Sequence, residues 1–425
     1  MADRRYADAA GRVGDWLSAT AQRSRDGWYW YEKPGVTELE AGVGWGTGGP
    51  PLFFVELFRT TGDARWLEPA VQAARWMHAH LEELAGKWAG CGLFTGVGGW
   101  VMFADELAAA TGDDAHRALS RDTLQLIVDR AEATDAGVHW HGFAEIMWGT
   151  AGIGCILLDQ GPEHAELAVA AGDWLLAQAE AAPGGGVRWT LGPQWVADHP
   201  DRVRYFPNFA HGAAGNGFFL AKLAQATGHS RFLDGAHRAL EWILTTVRRD
   251  GDTAAAYHHD PDGTDLYTLG WCHGPPGLAW FLRQLELTEN DPSRRDWIRR
   301  CARADATSGI PEQREPGFWD NVARCCGSAG VAEFFLDLHT LEGDDADLAF
   351  ARVMVDDILA RGTEDEAGMR WSNIEFRNED PVLPAEPTYL QGASGIGSTL
   401  CRLDRHERGD RWVLKWPHAP TWGAG

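Results

Sequence analysis

The chain has 425 residues, 44% of them hydrophobic, and its 61 acidic against 38 basic residues leave a net charge of −23. A surface this acidic repels phosphate backbones and excludes nucleic acid as a natural partner; it serves solubility and is compatible with a basic peptide. No run approaches the roughly 20 apolar residues that a membrane span needs. The N-terminal MADRRYADAAGRVGDWLSA lacks the continuous apolar core of a secretory signal, so a cytoplasmic protein is expected.

In chain order, an amphipathic segment over residues 4–22 is followed by the first of seven Gly-x-x-Gly turns. The turns begin at Gly46 (GTGG), Gly96 (GVGG), Gly149 (GTAG), Gly212 (GAAG), Gly274 (GPPG), Gly327 (GSAG) and Gly392 (GASG). A near-constant period of this size marks a repeat architecture, in which each unit buries its apolar face only against its neighbours. Each turn opens a segment that is apolar nearly all round, such as Pro51–Thr60, Trp100–Ala110 and Phe218–Ala226. Such segments read as buried helices. Gly62, Gly112 and Gly228 fit helix C′ positions, and Asp63 and Asp113 suit the start of the next helix.

Longer amphipathic segments come between, over 64–84, 115–133, 163–180, 231–248, 294–305 and 346–360. Seven inner and seven outer helices follow from this alternation. No terminal pair resembles a polar cap, so closure into an all-α, α/α toroid is expected, with residues 1–425 forming one domain. The glycines are expected to let the backbone turn sharply and the inner helices approach one another. The turns would then gather at one end of the ring. Ala210/His211, Met147/Trp148, Cys272/His273, Cys325/Cys326 and Leu390/Gln391 would face a common cavity.

Three cysteines fall at equivalent places in consecutive turns. Cys272 lies in GWCHGPPG; Cys325 and Cys326 lie in RCCGSAG. Three thiolates at repeat-equivalent positions suit Zn²⁺, which in catalytic sites keeps three protein ligands and one open position. The alternative is three inert buried thiols, because free cysteine is often buried. Cys91, Cys155, Cys301 and Cys401 have no such placement and read as structural. His211, just before its turn glycine, is a candidate acid or base, since histidine titrates near working pH. His273 reads as an acid/base group, a group supporting the metal ligands, or a ligand. Glu145, four residues before Gly149, could orient His211 or take a proton; the alternative is a solvated surface carboxylate. Trp45, Trp148 and Trp271 would line the cavity. Helix N-termini after the turns offer N–H groups that could steady an oxyanion.

Together, Trp271-Cys272-His273-Gly274, Cys325-Cys326-Gly327, His211-Gly212 and Gln391-Gly392-Ala393-Ser394-Gly395-Ile396-Gly397 resemble the lanthionine synthetase C-like family over nearly the whole chain. The resemblance implies a toroid with a central zinc held by Cys272, Cys325 and Cys326. It implies addition of a peptide cysteine thiolate to dehydroalanine or dehydrobutyrine, closing a thioether ring, with His211 handling protons. The chain departs from the family pattern in several places. Cys326 stands where a histidine ligand is usual. Glu145 stands for an aspartate, and Thr268 for an arginine found in some cyclases. His273 stands where nisin-type cyclases carry a tyrosine. The implied substrate is a dehydrated precursor peptide, prepared by a separate dehydratase or kinase/lyase protein. One variant would add a small-molecule thiol to dehydroamino acids in proteins. A carbohydrate-active toroid would need two flanking carboxylates, of which the repeat places only Glu145. A non-catalytic, zinc-stabilised peptide-binding toroid would need a closed four-ligand site.

Overall fold

The computed structural model describes residues 4–200, 205–256, 267–313, 320–374 and 382–423. Sixteen α-helices fall within these residues. Seven follow the glycine turns: Gly49–Thr61, Gly99–Thr111, Thr150–Asp159, Ala213–Thr227, Pro275–Glu289, Ser328–Glu342 and Ala393–Glu407. Seven more are the expected amphipathic partners: Arg5–Thr20, Leu67–Ala79, Arg117–Asp129, Ala165–Ala177, Ser230–Thr246, Arg294–Ala306 and Asp345–Ala360. The two short remaining helices are Leu81–Ala85 and Pro193–Asp198. The former comes from the expected 64–84 segment, which breaks at His80, where the imidazole Nδ1 turns back to the Trp76 carbonyl at 2.8 Å.

Two compact units make up the chain. One comprises Met1–Gly90, Phe94–Ile127 and Pro311–Lys415; the other comprises Cys91–Leu93, Val128–Ile310 and Trp416–Gly425. In the first unit the final helix, Ala393–Glu407, packs against the first two, Arg5–Thr20 and Gly49–Thr61. The last repeat therefore covers the first, as closure requires. In the second unit, Ala213–Thr227 is the centre, packed on Thr150–Asp159, Ser230–Thr246 and Pro275–Glu289.

The helix ends follow the sequence signals. Gly62, Gly112 and Gly228 take φ of 72°, 71° and 72°, the left-handed conformation that terminates a helix at no steric cost in glycine. Asp63 and Asp113 accept from the amides of Arg65 and Ala115, capping the turns that follow.

The glycines of the turns act differently from a simple sharp bend. Gly149, Gly212, Gly274, Gly327 and Gly392 have extended, negative φ values. What they need is room. A Cβ on Gly212 would stand 1.9 Å from the Phe206 carbonyl oxygen, one on Gly327 2.1 Å from that of Asn321, and one on Gly277 2.2 Å from that of Trp271. The preceding loop thus wraps over the helix start and presses its carbonyls onto it. Those carbonyls accept the first helical amides: Ala213 and Ala214 donate to Phe206 and Pro207, and Ser328 and Ala329 donate to Asn321 and Val322. The helix-start amides are therefore spent on the loop. The expectation that they would face an oxyanion is corrected for these positions.

Successive turns are stitched by one recurring backbone bond, two residues before the first glycine. In the first unit, Cys325 N–H donates to Leu390 O, Leu390 N–H to Gly44 O, and Gly44 N–H to Phe94 O, at 2.9, 3.0 and 2.9 Å. The middle bond joins the seventh turn to the first. In the second unit Ala210 N–H donates to Cys272 O at 3.0 Å.

Six two-stranded antiparallel hairpins also occur among the described residues, which the helical reading did not contain. Four carry a Gly-x-x-Trp sequence, at Gly27–Trp30, Gly137–Trp140, Gly186–Trp189 and Gly368–Trp371. Each of these glycines has φ between +76° and +137° and lies against a carbonyl of the next outer helix: Gln72, Ala170, Arg238 and Arg12 respectively. Each tryptophan is buried. Three of them donate their indole N–H to the preceding outer helix: Trp30 to Leu17 O, Trp189 to Leu175 O and Trp371 to Ile358 O, at 2.7–2.8 Å. Each of these four hairpins sets its glycine against the outer helix that follows it.

Candidate functional site

The second unit brings Glu145, His211 and His273 together. Glu145 is completely buried, contrary to the surface reading. Burying a carboxylate is costly unless its oxygens are bonded, and here they are. Met147 N–H donates to Oε2 at 2.9 Å and Trp148 N–H to Oε1 at 2.6 Å. Oε2 also meets His211 Nδ1 at 2.8 Å. A carboxylate only accepts, so Nδ1 carries a hydrogen and Nε2 is left facing away from the pair. The ring lies beside Trp148, with centroids 4.8 Å apart, and beside Phe206, at 6.2 Å. It keeps access to solvent, with 18% of its side chain exposed.

His273 is 5.6 Å from His211, centroid to centroid. Asn208, a buried carboxamide, places its Nδ2 3.4 Å from His273 Nδ1. The amide donates, so neutral His273 carries its hydrogen on Nε2. The two neighbouring imidazoles hold opposite tautomers: His211 offers an acceptor at Nε2, His273 a donor. Asn208 was not singled out in the sequence; its only signal was its place three residues before His211.

The sulfurs of Cys272, Cys325 and Cys326 lie within 4.8 Å of one another, and all three residues are buried. Such a set could hold a metal ion. Every cysteine in the chain is free of disulfide bonding. Three thiols at this spacing fit a tetrahedral thiophilic ion, whose Zn–S bonds of about 2.3 Å put sulfurs roughly 3.8 Å apart. In the first unit the side chain of Gln391 donates from Nε2 to Cys326 Sγ at 3.3 Å. Arg324, next to Cys325, forms a partly buried two-pronged pair with Glu333 at 2.9 and 2.6 Å, which anchors the cysteine loop to the helix it precedes.

The other cysteines sit elsewhere. Burial pushes the Cys91 thiol up to about 11 and those of Cys155 and Cys401 to about 12, and it raises Cys301 further. At neutral pH these are protonated core residues. Of the tryptophans beside turns, Trp271 is buried among Phe209, Trp280 and His418, and only Trp45 and Trp148 are partly exposed. Thr268 is buried in the loop before Gly274.

Paired helices opened by glycine turns, with a cluster of three cysteines able to hold a metal, define the class: an α/α toroid with a thiol-lined site. The chain belongs to the family described as Lanthionine synthetase C-like protein, whose model matches residues 38–419. Among solved structures it is similar to one titled Nisin cyclase, at 14% identity and a TM-score of 0.66, covering 95% of this chain and 94% of that one. It is also similar to an unsaturated glucuronyl hydrolase specific for heparin, at 13% identity and a TM-score of 0.51, covering 95% and 98%. At these identities the likeness shows the fold alone. No curated protein matches the sequence. No described helix is long and apolar enough to cross a membrane.

Proposed function

We propose that the chain is a zinc-dependent cyclase that adds cysteine thiols of a dehydrated peptide to dehydroalanine or dehydrobutyrine, forming lanthionine-type thioethers. The observation that carries this reading is the triple cysteine cluster, in a chain of the lanthionine synthetase C-like family. Cys272, Cys325 and Cys326 would hold the metal. Three protein donors leave a fourth position for substrate, and the bound ion would keep the incoming thiol as a thiolate at neutral pH.

The histidine pair supplies the proton chemistry. His211 Nε2, with Nδ1 held by Glu145, accepts the proton of the arriving thiol. The Glu145 carboxylate stabilises the imidazolium that forms. The sulfur forms its bond to the β-carbon, and the C=C pair moves toward the carbonyl oxygen. His273, with hydrogen on Nε2, donates a hydrogen bond to that oxygen. The pair returns as His211 delivers the proton to the α-carbon, restoring the amide. Atoms balance: the thiol hydrogen ends on carbon, and nothing leaves. A separate dehydratase or kinase/lyase protein would supply the dehydroamino acids.

The fold is shared with a glycosidic hydrolase, but Glu145 is committed to two backbone amides and a histidine, which argues against a hydrolytic acid pair. The test is thiol consumption. Cyclisation leaves peptide mass unchanged, so free thiols are counted by alkylation after incubating the zinc-loaded protein with a dehydrated, cysteine-containing peptide. Loss of thiols well above the uncatalysed rate is expected. A rate equal to the uncatalysed one would overturn the proposal. Adduct formation only with an added small thiol would transfer the chemistry to the external-thiol variant.

A further inference from the structure

A third thiolate changes the charge of a zinc site. Two cysteines and a histidine leave Zn²⁺ neutral, whereas three cysteines leave a net charge of −1. A more negative centre weakens its pull on the sulfur of an incoming thiol. Around Cys326 the structure carries an opposing device. Gln391 Nε2–H donates to Cys326 Sγ at 3.3 Å. The carboxamide is fixed at its other end, where its Oε1 meets Asn321 Nδ2 at 3.5 Å. Its backbone carbonyl accepts from Asn373 Nδ2 at 2.9 Å.

The same two asparagines hold the loop that carries the cysteines. Asn321 Oδ1 accepts from Ala323 N–H at 2.7 Å, and Asn373 Oδ1 accepts from Val322 N–H at 3.0 Å. The Cys325 amide, in turn, donates to Leu390 O. Gln391 and the Cys325–Cys326 loop are thus one braced piece, with the amide hydrogen directed at sulfur. Asn321 and Asn373 are buried, so the brace stands on fixed groups.

We propose that Gln391 is a positioning residue which aims Cys326 at the metal and draws charge from its sulfur, offsetting the extra thiolate. The inference rests on the zinc reading above. An N–H···S bond lowers the electron density of the thiolate, and partners of this kind typically hold about ten- to a hundredfold in metal affinity.

The test uses the full-length protein with Co²⁺ in place of zinc. Wild type is compared with Gln391→Leu, which keeps the volume but loses the donor, and with Gln391→Glu, which sets a carboxylate against the sulfur. Both variants are expected to bind one cobalt, with the sulfur-to-cobalt charge-transfer band moved to lower energy, since sulfur becomes easier to oxidise. Zinc affinity by chelator competition is expected to fall about tenfold in Gln391→Leu. Equal thermal unfolding of the metal-free proteins separates this from a folding defect. A band unmoved in both variants, with zinc affinity unchanged, overturns the role of Gln391 while the zinc reading stands. Wild type that binds neither cobalt nor zinc overturns the zinc reading itself.

Discussion

Replacing Glu145 by glutamine removes the charge without changing the shape of the site. The wild-type carboxylate accepts from Met147 N–H, Trp148 N–H and His211 Nδ1–H. Hydrogen bonds to a buried charged acceptor are worth about 1.5–3 kcal/mol each. The carboxamide of the Glu145→Gln variant keeps one acceptor oxygen and gains an amide nitrogen, so at least one of the three partners is left facing a donor. The stability cost is about 2–3 kcal/mol, well short of unfolding a chain with this much core. The catalytic cost is larger in kind. The amide can now donate to His211 Nδ1, which fixes the hydrogen on Nε2, the wrong tautomer for a base. Loss of a carboxylate that orients a histidine base lowers kcat by on the order of 10²–10⁴. Turnover is read by counting free thiols on the dehydrated peptide, with KM and zinc content measured alongside. A large fall in kcat at unchanged zinc content is expected. A kcat within about threefold of wild type would refute the assignment of His211 and Glu145 as the proton-handling pair.

Further outcomes follow from the same geometry. Gly277→Ala sets a methyl against the Trp271 carbonyl and the Phe209 side chain, within 2.2 and 2.6 Å. Calorimetry should show a loss of about 1–3 kcal/mol, and metal analysis a lower zinc content, because Trp271 precedes Cys272. Trp189→Phe deletes the indole bond to Leu175 O, which keeps only the Gln178 amide at 3.2 Å; chemical denaturation should show a loss of about 0.5–1.5 kcal/mol, with the cysteine site intact. Burial, with Glu32 adding like charge, raises the Glu386 carboxyl to about 7. Its folded value lies above the unfolded one of about 4.3. Its contribution is therefore full below about pH 4 and is lost as pH rises through 7. Glu386→Gln should match wild type at pH 4 and exceed it at pH 8 by up to about 3 kcal/mol in urea unfolding.

The inner helices were legible because their apolar faces follow a glycine turn at each repeat, and the αL caps at Gly62, Gly112 and Gly228 because glycine at a helix end has one common use. The three sulfurs were legible for a reason of register: equivalent positions in a repeat come to equivalent places. The reason for the turn glycines was not. Their need is clearance for a carbonyl six residues back, as at Gly212 and Gly327, which only a folded loop reveals. The Gly-x-x-Trp hairpins escaped because their strands run two or three residues, too short to show alternation. Gln391 was placed facing the cavity, yet its bond to Cys326 left no mark, since a carboxamide belongs to no motif. Asn208 had no such placement. The departure at Cys326 was visible, while its counterweight lay 65 residues away, in the last turn.

The central claim is the metal, and zinc content tests it most directly. Freshly purified, reduced wild-type protein is compared with Cys326→Ala by elemental analysis. About one zinc per chain in wild type, lost or sharply weakened in the variant, is the expected result. Wild type without zinc, or a variant that holds it as tightly, would contradict the three-cysteine centre and the chemistry proposed for it.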